Sequence, residues 1–388
     1  MKILFCQWNS ICEPDIESAF IHLGYQVIKL AQKIESVDYD KKYLIKLSDI
    51  LMQEQFDCVF SINYIPIISR VCNIFHTVYV SWTVDSPLFQ LYSNTIYNAC
   101  NRIFIFDMAL FEEFHDQNPE GIFYLPLATN VTHLNNVNVS DEDIKKYTTD
   151  LSFVGSLYTE KCKYNSIECM PDYLKGFVNG IIEAQLKIYG YNLIEDSLTD
   201  EIVKEFKKYA AWIPLNEDYR ENDKAIVAQE YIGIKCSETE RIRLLQSLSE
   251  KYNFDLYTLS DTSILKQVHN KGPARSRIDM PKIFKCSKIN LNITSKTIRS
   301  GLPLRIFDII GSGGFLLTNY QTEIPEYFEI GKDLDVFSSE EELLSKVEYY
   351  LTHEEERKEI ASNGYNKVRK FHTYEDRIKD MMQIIGLS

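Results

Sequence analysis

The chain has 388 residues, 45% hydrophobic and 25% charged, with a net charge of −14 and a pI near 5.1. That balance suits two or three globular domains, and the acidic surface argues against a nucleic-acid partner while leaving room for a local basic pocket. No apolar run is long enough to span a membrane, and nine scattered cysteines without a CxxC pair read as buried, reduced thiols.

The amino-terminal run MKILFC is broken by Gln7 and Asn9, so it reads as a first strand rather than a signal peptide, and the expected location is the cytoplasm. Further strands are expected at 25–30, 57–62, 77–81, 102–106 and 122–126, as continuous apolar runs covered on both faces. A helix starting at Pro14 puts Ile16, Ala19, Phe20 and Leu23 on one side and stops at Gly24. Strand and helix in alternation predict a doubly wound parallel sheet. The polar stretch 130–150 reads as an interdomain connection, followed by a strand at 151–154 and a strand-free helical region over 165–252. Alternation resumes with strands at 255–259, 288–293, 315–318 and 334–337, a capping box at Ser339 and Glu342, and a last helix over 374–385.

The expected fold class is thus α/β, with two Rossmann-like doubly wound domains facing a cleft and a helical insertion in the second. The boundaries are 1–145 for the first domain, with a terminal helix at 374–388 packing back on it. The second covers 150–373, with 165–252 as its insertion. Ligands in such sheets bind beyond the carboxyl ends of the strands, at the switch points.

The segment RSGLPLRIFDIIGSGGFLLTNY, 299–320, is the richest in chemistry. Pro303 opens a helix and Gly311, Ser312, Gly313 and Gly314 end it. Asp308 stands among Ile306, Phe307, Ile309 and Ile310, where a carboxylate needs a partner. That partner is either a ligand diol or one of the flanking cations Arg299 and Arg305, which could equally neutralise a diphosphate. The glycines form neither a P-loop nor a first-strand GxGxxG, which argues against a nicotinamide cofactor.

The second half contains MPKIFKCSKINLNIT, GLPLRIFDIIGSGGFLLTNYQTEIPEYF, GYNKV (364–368) and HTYEDR (372–377). The first half contains FSINYIPIISRVCN, YVSWTVDSP, IFIFD and YLPLATN, with FVGSLY (153–158) opening the second domain. These stretches resemble the spore-maturation CgeB-type glycosyltransferases of clostridial type, in the glycosyltransferase group 1 clan with the GT-B fold. The resemblance implies transfer of a sugar from a nucleoside diphosphate, UDP first. N-acetylglucosamine or another hexose would go to a hydroxyl of a bacterial surface protein or glycan such as flagellin, with no cofactor.

It further implies that Asp308 holds the donor ribose. The clan's retaining enzymes carry a glutamate where this chain has Ser300, and often an arginine in the turn at Gly155–Ser156. The diphosphate contacts therefore fall to Arg299, Arg305 and the Thr318–Asn319 turn, with Gly313 and Gly314 beside them. The base is expected against the segment after 255–259 and the start of MPKI at Met280.

An inverting reaction needs a base on the acceptor side. Asp15, opening the first helix, and Asp85, after the fourth strand, are the candidates, ahead of Glu13 and Asp107. Helix-dipole and turn roles compete for these acids. Asn63, Tyr64 and Trp82 also fall at strand ends, where they either line the acceptor side or pack in the core. The triplets Asp38–Tyr39–Asp40 and Asp333–Leu334–Asp335 read as solvated acids rather than metal ligands, so no metal is expected. Two alternatives remain beside the transferase: a catalytically inactive sugar- or nucleotide-binding module, and a nucleotide-sugar epimerase of the same fold.

Overall fold

The computed structural model describes residues 1–212 and 217–387, which fall into two compact units. The first comprises 1–130, 217–221 and 371–387; the second comprises 131–212 and 222–370.

The first unit is built on a parallel sheet in the order β2-β1-β3-β4-β5-β6. Its strands are β1 (Lys2–Gln7), β2 (Gln26–Ala31), β3 (Cys58–Ile62), β4 (Tyr79–Trp82), β5 (Asn101–Ile105) and β6 (Ile122–Tyr124). The helices are α1 (Glu13–His22), α2 (Lys41–Gln53), α3 (Pro66–Ile74) and α4 (Met108–Phe114). Each expected strand is present within two residues at either end. β3 and β4 are buried along their whole length, as two covered faces require. Phe5 and Phe20 both meet Phe60 edge-on at 5.1 Å between centroids, and each buried ring contributes about 1.5–3 kcal/mol.

Gly24 ends α1 with φ +85°, a left-handed value that glycine adopts without steric cost. The run 217–221 pairs with this unit: Asn94 N donates to Asp218 O (2.8 Å) and Arg220 N to Tyr92 O (3.0 Å). The terminal segment docks by Thr129 N to His372 O and Arg377 Nε to Pro126 O.

The second unit starts with α5 (Val131–Asn136) and α6 (Asp141–Tyr147). Its sheet has the order β12-β11-β10-β7-β8-β9, again parallel throughout. The strands are β7 (Thr149–Val154), β8 (Phe254–Tyr257), β9 (His269–Asn270), β10 (Ser287–Asn292), β11 (Leu316–Asn319) and β12 (Asp335–Phe337). β9 is absent from the sequence reading because its two residues are exposed, polar and without apolar pattern.

Between β7 and β8 come α7 (Asp172–Gln185), α8 (Asp200–Lys207), α9 (Asp223–Ile226), a π-helical stretch Val227–Gly233 and α10 (Ile234–Ser249). Later helices are α11 (Asp279–Cys286), α12 (Leu304–Gly311), α13 (Ile324–Tyr327), α14 (Glu340–Thr352) and α15 (Glu354–Phe371). The last helix, α16 (Tyr374–Ile384), belongs to the first unit and packs on α1. At α14 the Ser339 hydroxyl caps Glu342 N as expected, but the Glu342 carboxylate reaches back to Ser338 N, one residue beyond the usual box.

Candidate functional site

Strand order fixes where each sheet can take a ligand. In the first, β2 lies on one side of β1 and β3 on the other, so the switch point is between β1 and β3. In the second, β8 and β10 flank β7, which puts the switch point between β7 and β10.

At the first switch point Trp8 Nε1 bridges to Ile62 O (2.9 Å), and the buried Glu13 carboxylate accepts from Trp8 N (2.8 Å) and Asn9 N (3.2 Å). Glu13 is thereby committed to forming the turn. Asp107 is also buried; it caps α4 at Leu110 N and accepts from Ser86 Oγ. Asp15 is half-buried in the first turn of α1 and accepts from Asn130 Nδ2 at 2.9 Å. Asp85 is exposed beyond the end of β4, and Asn63 Nδ2 donates to its Oδ2 at 2.7 Å.

Asn63 is held on every side. Its N–H donates to Trp82 O, its carbonyl accepts from Ser61 Oγ, and its side-chain oxygen accepts from Val84 N (2.8 Å) and Asp85 N (3.3 Å). It also adopts φ +58°, uncommon outside glycine and most tolerable for Asn or Asp. Backbone strain of this kind, held by several bonds, clusters at functional sites.

Trp82 and Tyr64 do not line a surface. The Trp82 ring is fully buried, donates Nε1 to Leu125 O (3.1 Å) and meets Tyr374 edge-on at 6.0 Å. The Tyr64 hydroxyl is buried and donates to Thr95 Oγ1 at 2.7 Å. Both rings fill the core because the strands carrying them are covered on both faces, which corrects the acceptor-side expectation for these two residues.

In the second unit the switch point is spanned by a residue that the sequence reading passed over. Arg241 of α10 donates NH1 to Ser156 O (2.6 Å) and NH2 to Ile293 O (2.5 Å), tying the ends of β7 and β10 together. Its guanidinium carbon lies 4.5 Å from the Tyr158 centroid and 5.3 Å from that of Phe153. Its Nε is buried without a hydrogen-bond partner, and among the described residues no carboxylate pairs with it. Nothing in helical periodicity marks Arg241; only the convergence of β7, β10 and α10 gives it this place.

Arg305 lies near enough to feel that charge. Burial lowers its proton affinity below the usual guanidinium value, Asp308 opposes the shift, and Arg241 adds to it. Asp308 is half-buried on α12 with its carboxylate 3.9 Å from Arg305. Met280 is buried under the same guanidinium, with its sulfur against Arg305. Arg299 follows β10 and borders a narrow cleft shared with Tyr189, Asn192, Lys296 and Tyr320. At the β7 turn, Ser156 Oγ accepts from Tyr158 N (2.8 Å) and Ser260 Oγ accepts from Leu157 N (2.9 Å). A β-carbon on Gly155 would press the Phe153 ring at 3.2 Å. A cavity of about 490 Å³ opens beside the β7 and β8 ends, lined among others by Thr159, Lys235, Glu238, Ile242, Asp261 and Ile264.

Four donor-side expectations are corrected. Gly313 and Gly314 end α12 and precede β11, so they lie at the amino edge of the sheet, opposite the ligand edge. A β-carbon on Gly314 would come within 2.6 Å of Asn290 Nδ2 and 2.7 Å of Phe284 O; its role is close packing. Thr318 and Asn319 are buried and spent on the β10 end. Asn319 Oδ1 accepts from Thr294 N (2.7 Å), and Thr318 Oγ1 from Asn292 Nδ2 (2.9 Å).

The two Asp-x-Asp triplets are engaged within the fold. Asp40 caps α2, Asp38 accepts from Tyr219, Asp333 pairs with Lys367, and Asp335 with Lys346 and Tyr350. Among the described residues no group of three His, Cys, Asp or Glu side chains is placed to hold a metal, and no helix is long and apolar enough to cross a membrane.

Residues 241–383, which begin at Arg241, match the family model described as Glycosyl transferase-like. The chain matches no curated protein sequence. Among solved structures it resembles HepE of Anabaena in complex with UDP-glucose, at 11% identity and TM-score 0.54, over 100% of this chain and 99% of that one. It also resembles a DNA-modifying β-glucosyltransferase, at 12% identity and TM-score 0.55, over 99% of each chain. Sucrose-phosphate synthase of Thermosynechococcus elongatus matches at 8% identity and TM-score 0.55, over 99% and 98%. With the two parallel six-stranded sheets, these likenesses show a two-domain Rossmann-like GT-B fold.

Proposed function

We propose that this protein is a glycosyltransferase that takes a sugar from a nucleoside diphosphate, UDP first, and passes it to a hydroxyl without a metal or other cofactor. The observation that carries the reading is Arg241. A guanidinium without a carboxylate partner sits across the topological switch point, with Arg305 close by. That is an arrangement for an anion with two charged groups, and a diphosphate supplies them. The match of 241–383 to the Glycosyl transferase-like model supports it, as do the UDP-glucose complex and the glucosyltransferase among the structural neighbours.

In this reading the diphosphate lies against Arg241, Arg305 and Arg299, Asp308 takes the ribose hydroxyls, and the nucleoside occupies the cavity beside the β7 and β8 ends. A volume of about 490 Å³ is within the range of small-ligand sites. Asp85 accepts the proton of the acceptor hydroxyl as its oxygen bonds to the sugar's anomeric carbon. The bond from that carbon to the diphosphate breaks, and the nucleoside diphosphate leaves with the electron pair. Asp85 is preferred over Asp15 because it is exposed and aimed by Asn63, whereas Asp15 is also placed to stabilise the α1 amino terminus. The acceptor is a surface protein or glycan such as flagellin and the sugar N-acetylglucosamine or another hexose, on the strength of the CgeB-type resemblance. The expected site of action is the cytoplasm.

Calorimetry against UDP, GDP, CDP, dTDP and their common sugars, with EDTA present, tests the donor half. One nucleotide should bind tightly and insensitively to EDTA, with slow hydrolysis of its sugar. Binding without any hydrolysis or transfer would indicate a binding module, and no binding by folded protein would sink the reading.

A further inference from the structure

One face of the long helix before β8 is matched, residue by residue, to the loop that follows β10. Gly233, Ser237, Glu240 and Arg241 recur at helical spacing through the π-to-α junction. A β-carbon on Gly233 would stand 3.1 Å from Thr297 Cγ2, so glycine lets the loop approach there without displacing its neighbour. Ser237 Oγ accepts from Lys296 N (2.9 Å) and meets Ser295 Oγ (2.9 Å). Arg241 holds Ile293 O. Between these, the Lys296 ammonium lies 3.0 Å from Glu240 Oε1 and 3.8 Å from the Tyr189 centroid.

This ion pair is out of place as mere packing. Its side chains are 8% and 2% exposed, and neither Glu240 oxygen takes a well-aligned hydrogen bond. Desolvating two charges is costly, and a well-packed neutral pair would commonly be as stable or more so. The loop it pins, 294–297, is buried throughout. It is also fastened by Asn319 to Thr294 and by Asn192 Nδ2 to Lys296 O (2.8 Å). Glu240 is adjacent in sequence to Arg241, so one helical turn carries both the pin for this loop and the guanidinium at the switch point.

We infer that Glu240 and Lys296 are positioning residues: their charge pair fixes the 293–299 loop against α10, and with it the placement of Arg299 relative to Arg241. This rests on the donor-site reading above. Neither residue touches the donor. Their effect is on the geometry in which the diphosphate is held, and misplacement by about 1 Å is worth on the order of 100-fold in rate.

The test compares wild type with Glu240→Gln, Lys296→Met, the double Glu240→Gln/Lys296→Met and the charge-keeping Lys296→Arg. Readouts are thermal unfolding, UDP affinity and turnover of the sugar nucleotide that wild type accepts. Each neutral single variant should lose thermal stability, because one buried charge is left unpaired. The double should regain wild-type stability and UDP affinity within about 3-fold, yet keep a kcat on the order of 100-fold low. Lys296→Arg keeps the charge but carries a longer, planar head group, so it should fold yet displace the loop and lower kcat with little change in KM. A double variant that regains turnover along with stability would reduce the pair to packing and overturn the inference, as would unchanged kcat in Lys296→Arg. If the double does not fold, Lys296→Arg alone decides. Wild-type protein that neither binds nor turns over any donor would overturn the donor-site reading itself, and this inference with it.

Discussion

Asn63 Nδ2 donates to Asp85 Oδ2 at 2.7 Å, while Asn63 Oδ1 accepts from the amides of residues 84 and 85. One side chain at the end of β3 therefore fixes both the backbone and the carboxylate of the turn after β4. Asp85→Asn should lower transfer by 10²- to 10⁴-fold with UDP affinity unchanged, the usual range for a general base. Asn63→Gly keeps the left-handed backbone and removes the amide, so it should fold normally and lose roughly 10-fold in kcat. Transfer kinetics at saturating donor check both; full activity in Asp85→Asn would move the base to Asp15.

Arg241→Gln should weaken UDP binding by about 10- to 100-fold, since charge-assisted hydrogen bonds contribute about 1.5–3 kcal/mol. Arg241→Lys should not rescue it, because a point charge cannot reach Ser156 O and Ile293 O while facing a phosphate. Calorimetry with UDP and with uridine separates the effects: uridine affinity should change far less.

Gly313 and Gly314 should affect stability and not the donor. Gly314→Ala meets Asn290 and the Phe284 carbonyl and should cost about 1–3 kcal/mol. Gly313→Ala has open space but φ +82° and should cost about 1–2 kcal/mol for its left-handed backbone. Denaturant titration gives both values, and UDP affinity should remain within error of wild type.

The contact of α6 with α11 has an acid-sensitive ion pair. Lys282 beside Asp143, with help from Ser140, lowers the Asp143 carboxyl from 3.8 to about 2. A depressed folded value means the stabilisation is complete above the unfolded value and fades as pH falls from about 4 toward 2. Lys282→Met should remove that component, moving the acid-unfolding midpoint to higher pH, with no difference from wild type below about pH 2. Circular dichroism against pH reads this directly.

Trp82→Phe should destabilise the first unit by about 1–3 kcal/mol by leaving the Leu125 carbonyl without its donor. Its acceptor KM should not change, in contrast to variants of Asp85.

Most strands and several helix ends were legible in the residues themselves. Continuous runs such as the one containing Val59–Ile62 are apolar because both sheet faces are covered, and Pro14, Gly24 and Ser339 mark helix ends by local backbone and capping chemistry. β9 was not, because two exposed polar residues carry no burial pattern. Asp85 and Asn63 were each legible as strand-end residues, but their pairing was not, since 22 residues separate them and only the β3–β4 pairing brings them together.

The same distinction runs through the site. Residue type and local order determined that this chain forms two doubly wound sheets, with charged and glycine-bearing turns near the strand ends. They could not determine which end of a strand a turn occupies in space, nor which side of a helix faces a neighbour 50 or more residues away. Gly313–Gly314 therefore stood beside the expected diphosphate contacts until the α12–β11 connection placed the pair at the amino edge. Trp82 and Tyr64 could equally line the acceptor side or fill the core until the sheet was covered on both faces. Arg241 and Glu240 read as ordinary helix residues until β7 and β10 converged beneath α10. Local propensity acts between neighbours in sequence; charge pairing, burial and desolvation act between neighbours in space, and only the tertiary fold decides who those are.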